Sequence, residues 1–523
     1  MRQETEISLS PKEASDASAF RNILCKKAGI SSENLKAFRV IRRSVDARSS
    51  QVKVVLRFEL FIDEEPTPTE DVAPLFEKNV ENATPVVIAG AGPAGLFAAL
   101  RLIELGIKPI ILERGKAISE RKRDIAQITR FHKINPDSNW CFGEGGAGTF
   151  SDGKLFTRST GRGDTSRVLR ILIHHGAKPE ILYDAHPHIG TDRLPDIIKN
   201  IRKTIISAGG EIHFNSKVTG LMIKNKKVTG LSTDSAKYEA DAVILATGHS
   251  SRDIYQLLHY NNIPLQVKHF AVGVRIEHPQ KQIDSIQYHC KGKRSEFLPP
   301  ASYSLAAQVD NIGVYSFCMC PGGMIVPAAT GPGELVVNGM SNSQRNSPFA
   351  NAGIVTAVDA NDFKDFEKSG VLSGLRYQAE MEKHAFIAGG STQAAPAQKL
   401  MDFLKGKLSS KIPETSYTPG LASAPLHEIL PFPVAKRLKE GLKLFEKKMR
   451  GFLTDEAVLI GVESRTSSPL RIPRYPDTYE HIQFKGLFPC GEGSGYSGGI
   501  MSSALDGERC ADHVAEKILK HFK

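Results

Sequence analysis

The spacing of apolar positions changes several times along the 523-residue chain. In VKVVLRFELFI every second residue from Val52 to Ile62 is apolar, and period two with one apolar face reads as a half-buried strand. AFRNILCKKAGI, upstream, suits a helix. From Pro85 short apolar runs alternate with helical patterns. Val86–Ala89 reads as a strand, the next helix carries Leu96, Ala99, Leu100 and Ile103 on one face, and Lys108–Leu112 reads as a second strand. Such alternation implies a parallel sheet. A helix over about 193–208 is followed by the strand-like runs EIHF, KVTGLMI, KVTGLST and DAVILAT. Between about 265 and 455 the strand-like stretches HFAVGVRIEH, NIGVYSFCMC and ELVVNGM precede helical ones. LFPCGEG reads as a buried strand entering a glycine turn, and IMSSALDGERCADHVAEKIL as the last helix.

These patterns divide the chain into a small N-terminal α+β unit (1–80), a dinucleotide-binding region in two parts (81–264 and 456–523), and an inserted α+β domain (265–455) that covers it. The acidic, proline-bearing stretch 63–85 serves as the first linker.

Composition changes this picture little. Hydrophobic content of 41% and charged content of 24% suit a globular protein. The polar start MRQETEISLSPKEAS lacks a signal-peptide pattern, and no apolar run is long enough to span a bilayer. Seven scattered cysteines do not form a disulfide framework, so a reducing, cytoplasmic setting is expected. The net charge of +11 is densest over 114–133, which reads mainly as a solvated helix.

The sharpest signal is PVVIAGAGPAGLFAALRLIELGIKPIILERG. Gly90-Ala91-Gly92-Pro93-Ala94-Gly95 matches G-x-G-x-x-G between a strand and a helix, and Glu113 ends the next strand. Gly90 allows the tight turn, Gly92 lets backbone approach a pyrophosphate, and Gly95 allows close helix–strand packing. The helix N-terminus then faces the pyrophosphate. Glu113 suits an adenosine ribose, its charge disfavours NADP, and Arg114 beside it joins the same group. The fingerprint itself leaves FAD and NAD open.

Asp241–Ala246 followed by Thr247-Gly248, and the Gly491-Glu492 strand end before the last helix, resemble flavoproteins of the glutathione-reductase type with two dinucleotide-binding domains. That resemblance implies FAD, with Val218 meeting the adenine through its backbone and Glu492, where Asp is commoner, at the ribityl chain. It also implies that Gly491, Gly493, Gly495, Gly498 and Gly499 lie against the flavin, and that the helix from about Ile500 aims its N-terminus at the ring. NWCFGEGGAGTFSDGKL, GVRIEHP, YSFCMCPGG, GVESRTSSPLRI, PCGEGSGYSGGIMSSALDG and RRSVDAR resemble a bacterial family of FAD-dependent dehydrogenase-like proteins of unassigned substrate. The likeness runs over nearly the whole chain. The expected fold is therefore a Rossmann-type FAD-binding domain with an inserted α+β cap and a small N-terminal α+β domain.

Gly146, in the glycine-dense loop 143–154, is expected at the flavin or pyrophosphate, and Arg121 near the pyrophosphate. Lys154, Glu463 and Arg465 are the candidates for chemistry: Lys154 beside a reduced flavin, Arg465 on a substrate carboxylate or in a pair with Glu463. Asp152 suits a turn cap. Cys318-x-Cys320 would close a strained ring, and redox pairs in the superfamily are spaced more widely, so a catalytic dithiol is not expected. His186 and His188 lack further zinc ligands at suitable spacing, and no metal is expected. No second strand–GxGxxG–helix unit is evident, so electrons would come from the substrate, a visiting NAD(P)H or a protein donor. The leading reading is an FAD-dependent oxidoreductase acting on a small organic substrate. A tRNA-modifying flavoprotein contacting RNA through Arg42, Arg43 and Arg48, and a non-catalytic flavin scaffold or sensor, are the alternatives; no RNA-binding motif supports the first.

Overall fold

The computed structural model describes residues 1–66, 72–156 and 163–520; 67–71, in the middle of the 63–85 linker, lie outside them. Lys53–Ile62 is the central strand of a three-stranded antiparallel sheet, flanked by Arg2–Leu9 and Leu35–Asp46. Its alternate residues Val54, Leu56, Phe58 and Leu60 are buried, with the helix Phe20–Ala28 supplying Phe20 and Leu24 to the same core. That core continues into the large sheet of the inserted domain as one hydrophobic cluster.

Five parallel strands form the Rossmann-type sheet, in the order Leu487–Pro489, Val243–Leu245, Pro85–Ala89, Lys108–Leu112, Glu211–His213. Successive side chains of a strand point to opposite faces. Val86, Ile88, Ile111 and Ile244 therefore pack toward the helices Pro93–Glu104, Leu194–Ser207 and Ile500–Lys520. Val87, Ala89, Val243 and Leu245 pack toward the three-stranded meander 218–239 and the helix Arg252–Tyr260. Burial on both faces explains why these strands read as continuous apolar runs.

The third layer is a seven-stranded sheet, ordered 306–309, 312–320, 349–358, 270–279, 458–463, 395–399, 421–423 and antiparallel except for its last pair. The strand Val458–Glu463 sits inside it, between Phe270–Pro279 and Ala395–Lys399. The boundary placed at 455 is thus too early: these residues follow the inserted domain's helices in sequence but complete its sheet by hydrogen bonding.

Within this sheet Glu277 is buried, and its carboxylate accepts from the Ser416 amide at 2.8 Å and from the Ser416 hydroxyl. Burial pushes its pKa up to about 7, partly offset by those hydrogen bonds. A folded pKa raised above the unfolded one gives stability that is full below the unfolded pKa and lost as pH rises through about 7. Glu277→Gln is therefore expected to flatten the fall in stability between pH 5 and 8 by on the order of 2 kcal/mol. Denaturant unfolding of both proteins at the two pH values checks this, and equal slopes would contradict it.

Candidate functional site

The strand Pro85–Ala89 delivers the chain into Gly90 at φ +103°, where an added Cβ would come within 2.5 Å of the Ala246 carbonyl oxygen. Only glycine permits that turn against the neighbouring strand end. At Gly95 a Cβ would lie 2.0 Å from the Gly90 carbonyl oxygen, so the helix packs directly on the turn. Gly95 contributes packing and does not reach the cavity wall. Gly90, Gly92, Pro93 and Ala94 do line a cavity of about 600 Å³.

The loop 143–148 folds over this fingerprint. The Gly145 amide donates to the Ala91 carbonyl at 2.8 Å, and a Cβ on Gly146 would stand 3.1 Å from Gly92 Cα. Gly146 to Gly148 form part of the same wall. Arg121 holds the loop in place. It is fully buried, and its guanidinium donates to the carbonyls of Asn139, Trp140, Glu144 and Gly146 at 2.8–2.9 Å. Burial lowers its pKa to about 10, which leaves it charged at neutral pH. The expectation that Arg121 lies at the pyrophosphate is corrected: its five donors are spent on the loop, because a buried guanidinium requires acceptors on all sides.

Glu113 lines the cavity and accepts from the amides of Ala91, Gly115 and Gly143, each at 2.9 Å. Three of the roughly four acceptor positions of a carboxylate are thereby filled, which ties the strand end to both glycine loops and leaves one for a ligand. Arg114 lines the cavity over the Phe142 ring, 4.4 Å from its centroid, and is ion-paired to Asp253. Val218, Ala246, Thr247 and Gly248 continue the wall.

At the far end stand Glu492, Gly498, Gly499 and Ile500. A Cβ on Gly498 or Gly499 would meet nothing within 4 Å, so both look onto open cavity, directly before the helix Ile500–Lys520. Gly491, Gly493 and Gly495 behave differently. Added Cβ atoms there would strike Ala94 Cβ at 2.9 Å, the Gly248 carbonyl oxygen at 2.4 Å and the Leu470 carbonyl oxygen at 2.9 Å. The Gly491 amide also donates to Asp506 at 2.7 Å, and Gly493 O accepts from Tyr255 at 2.7 Å. These three glycines make room for protein, so their expected contact with flavin is corrected. Glu492 sits 3.4 Å from the His249 ring.

The cavity is closed by Phe317, Cys318 and Glu463 from the seven-stranded sheet, by Asn338 from a separate two-stranded one, and by Arg465 and Thr466 just past Glu463. Arg465 and Glu463 do not pair with each other. Arg465 makes a bidentate contact with Glu382 at 2.7 and 3.0 Å and a further one with Glu334 at 2.7 Å. Burial would raise the Glu382 pKa, but Arg252 and Arg465 overcome it and hold it at about 2. Arg465, already opposite two carboxylates, is a clamp between elements, and its expected role on a substrate carboxylate is corrected. Glu463 pairs with Arg275 at 2.9 Å, and both are buried. Lys154 Nζ lies 3.4 Å from Asp152, 3.6 Å from Cys318 Sγ and 3.3 Å from Cys320 Sγ. Asp152 bonds the Ser341 hydroxyl and Arg345 and caps no turn. Sequence reasoning assigned no role to Arg275, Asn338 or His249. The GVRIEHP motif was the available signal for Arg275, whose charge inside an apolar strand is costly without partners.

The two helix N-termini that open on one cavity, and the glycines that bare its walls, fit an extended dinucleotide carrying a pyrophosphate and an electron-accepting ring. Three family models agree on which dinucleotide. One described as FAD binding domain matches residues 83–129, one described as FAD dependent oxidoreductase matches 194–309, and one described as FAD-dependent protein, C-terminal domain-like matches 269–466. Residues 1–61 match a domain of unknown function. Fold and site thus define an FAD-dependent flavoprotein of the oxidoreductase class. The chain belongs to the same FAD-dependent family as an uncharacterized protein of Clostridium beijerinckii, to which it is 41% identical over 522 residues, 96% of this chain and 97% of that one. Among solved structures, CtdE in complex with FAD is similar over 83% of this chain and 84% of its own at 13% identity and a TM-score of 0.32. Glycine oxidase from Bacillus cereus is similar over 83% and 95% at 13% identity and a TM-score of 0.30.

Proposed function

We propose that this chain moves two electrons between FAD and a small organic substrate bound on the inserted-domain side of the cavity. The observation that carries this reading is a single continuous cavity walled by both dinucleotide glycine loops and by the seven-stranded sheet. Gly90–Ala94, Gly146, Thr247 and Gly248 would hold the dinucleotide. Gly498–Ile500 would present a helix N-terminus to the ring, where the FAD supplies the hydride chemistry. Phe317, Asn338, Thr466 and the backbone about Cys318 would orient the substrate and exclude water. Arg465 and Glu463, each neutralised by its ion pair, would keep that wall rigid, since breaking such a pair costs more than forming it gains.

Two of the three arginines invoked for RNA, Arg43 and Arg48, already pair with Asp184 at 2.6 Å and Asp46 at 2.7 Å, which favours the small-molecule reading over a tRNA substrate. The test is anaerobic: FAD-loaded protein is mixed with hydroxy acids, amino acids, and NADH or NADPH paired with unsaturated carbonyl compounds. Bleaching of the flavin band together with a product differing by two hydrogens is the expected result. Protein that binds no FAD, or that bleaches only with substrate-free chemical reductants, would overturn the proposal.

A further inference from the structure

Cys318 lies on the wall of the flavin cavity, and Cys320 is fully buried behind it. Their strand, Ile312–Cys320, loses register with Phe349–Val358 between Phe317 and Cys320, and Cys318 adopts φ +45°. A left-handed conformation is uncommon for a residue with a side chain, and such strain concentrates at functional positions. Two side chains, Arg275 and Lys154, hold it there. Arg275 Nη2 donates to the Cys318 carbonyl at 2.6 Å, Arg275 is fixed in turn by Glu463 at 2.9 Å and Asn351 at 2.9 Å, and the Lys154 ammonium touches both sulfurs. Cys320 Sγ is 3.4 Å from the Cys318 carbonyl oxygen.

We propose that Cys318 and Cys320 form a dithiol–disulfide couple that takes two electrons from the reduced flavin and passes them to an external disulfide. This rests on FAD occupying the cavity. In the first step two electrons and one proton from a bound, reduced FAD would break the bond between the two sulfurs, leaving Cys318 as thiolate and Cys320 as thiol. In the second step the Cys318 thiolate attacks a sulfur of the external disulfide and displaces one thiolate. The Cys320 thiolate, its proton lost to that leaving group, then attacks Cys318 Sγ, restores the internal disulfide and displaces the second thiolate, which takes its proton from solvent.

Geometry sets the direction of flow. In an extended strand, Cα atoms two residues apart are separated by roughly 6.6 Å, close to the upper end of the usual disulfide range of about 4.4–6.8 Å. The left-handed residue and the register slip bring the two cysteines closer, yet the ring they close is small and strained, and strained disulfides are the more easily reduced ones. The reduced state gains as well. A hydrogen bond from Cys320, then the charges of Lys154 and Arg275, hold the Cys318 thiol well below its usual range against burial and Asp152. Cys320 is shifted the other way, chiefly by that same hydrogen bond and by burial. One sulfur is thus a nucleophile facing the cavity, and the other a proton-bearing partner behind it. The ring strain that made this spacing look unsuited to catalysis is what favours accepting electrons.

The full-length protein, first without FAD, is treated with hydroxyethyl disulfide, unfolded in guanidinium, alkylated with iodoacetamide and digested. The peptide containing residues 318 and 320 is expected to be lighter than the dithiol form by two hydrogens and to carry no alkyl group, whereas alkylation of both cysteines would overturn the couple. FAD-loaded, oxidised protein is then photoreduced without oxygen. Both thiols should become alkylatable, in samples then unfolded in guanidinium with iodoacetamide, as the oxidised flavin band returns, and a disulfide that persists beside reduced flavin would overturn the electron transfer. Failure to bind FAD sinks the flavin reading and the first step together, while the apo measurement still decides whether the couple exists. Lys154→Met should slow alkylation of Cys318 at pH 7 about tenfold in reduced protein whose Asp152, Arg275, Glu463 and Cys320 are unchanged. An unaltered rate would remove the Lys154–thiolate pair.

Discussion

Gly498→Val is expected to weaken FAD binding by at least about a hundredfold, equivalent to roughly 2.7 kcal/mol, while leaving the unfolding of the apo protein nearly unchanged. The backbone at Gly498 is not in the left-handed region, and a Cβ there meets no protein atom within 4 Å. The isopropyl group would project into the cavity beside Gly499 and Ile500, where only a ligand would feel it. Gly95→Val makes the contrast. Its Cβ would stand 2.0 Å from a backbone oxygen, so that variant should lose FAD through loss of folding. Fluorescence titration with FAD and thermal unfolding, run on both variants, separate the two causes. Unweakened FAD binding by the Gly498 variant would take the Gly498–Ile500 turn out of the flavin wall.

Arg121→Met should be the most damaging substitution away from the cavity wall. It strips the donor from four carbonyls at once, three of them buried, and each buried group left unpaired costs about 1–3 kcal/mol. Arg121→Lys should rescue little, because an ammonium is a point donor and cannot reproduce the planar fork. The expected sign is faster amide exchange over residues 139–149 and FAD binding weakened more than about tenfold, since Gly146 faces Gly92 only while that loop is held. Native exchange rates in that loop would show that Arg121 is dispensable for positioning it.

What could be read from the sequence followed from local rules. The Rossmann-type strands read as apolar runs because both their faces are covered, and Gly90, Gly92 and Gly95 showed their spacing because a turn, a ligand approach and a helix contact each exclude a side chain within six residues. The glycine-rich stretch 491–499 shows where local rules stop. All five of its glycines look alike in sequence, but only Gly498 and Gly499 face open cavity, while Gly491, Gly493 and Gly495 yield to Ala94, Gly248 and Leu470. The neighbours that decide this lie up to roughly 400 residues away along the chain, and no periodicity reports them. The same holds for Arg465, whose partners Glu334 and Glu382 come from other elements.

The dinucleotide fingerprint and the layered α/β class were legible in the sequence, because hydrophobic period and glycine spacing act over a turn or a strand. Tertiary structure alone decided which glycines bare the cavity, that Arg121 serves a loop, and that Lys154 stands against Cys318 and Cys320. The first depends on which distant backbone lies against each glycine; the other two depend on the burial of charge, and a buried charge is stable only with partners that the folded chain brings from distant segments.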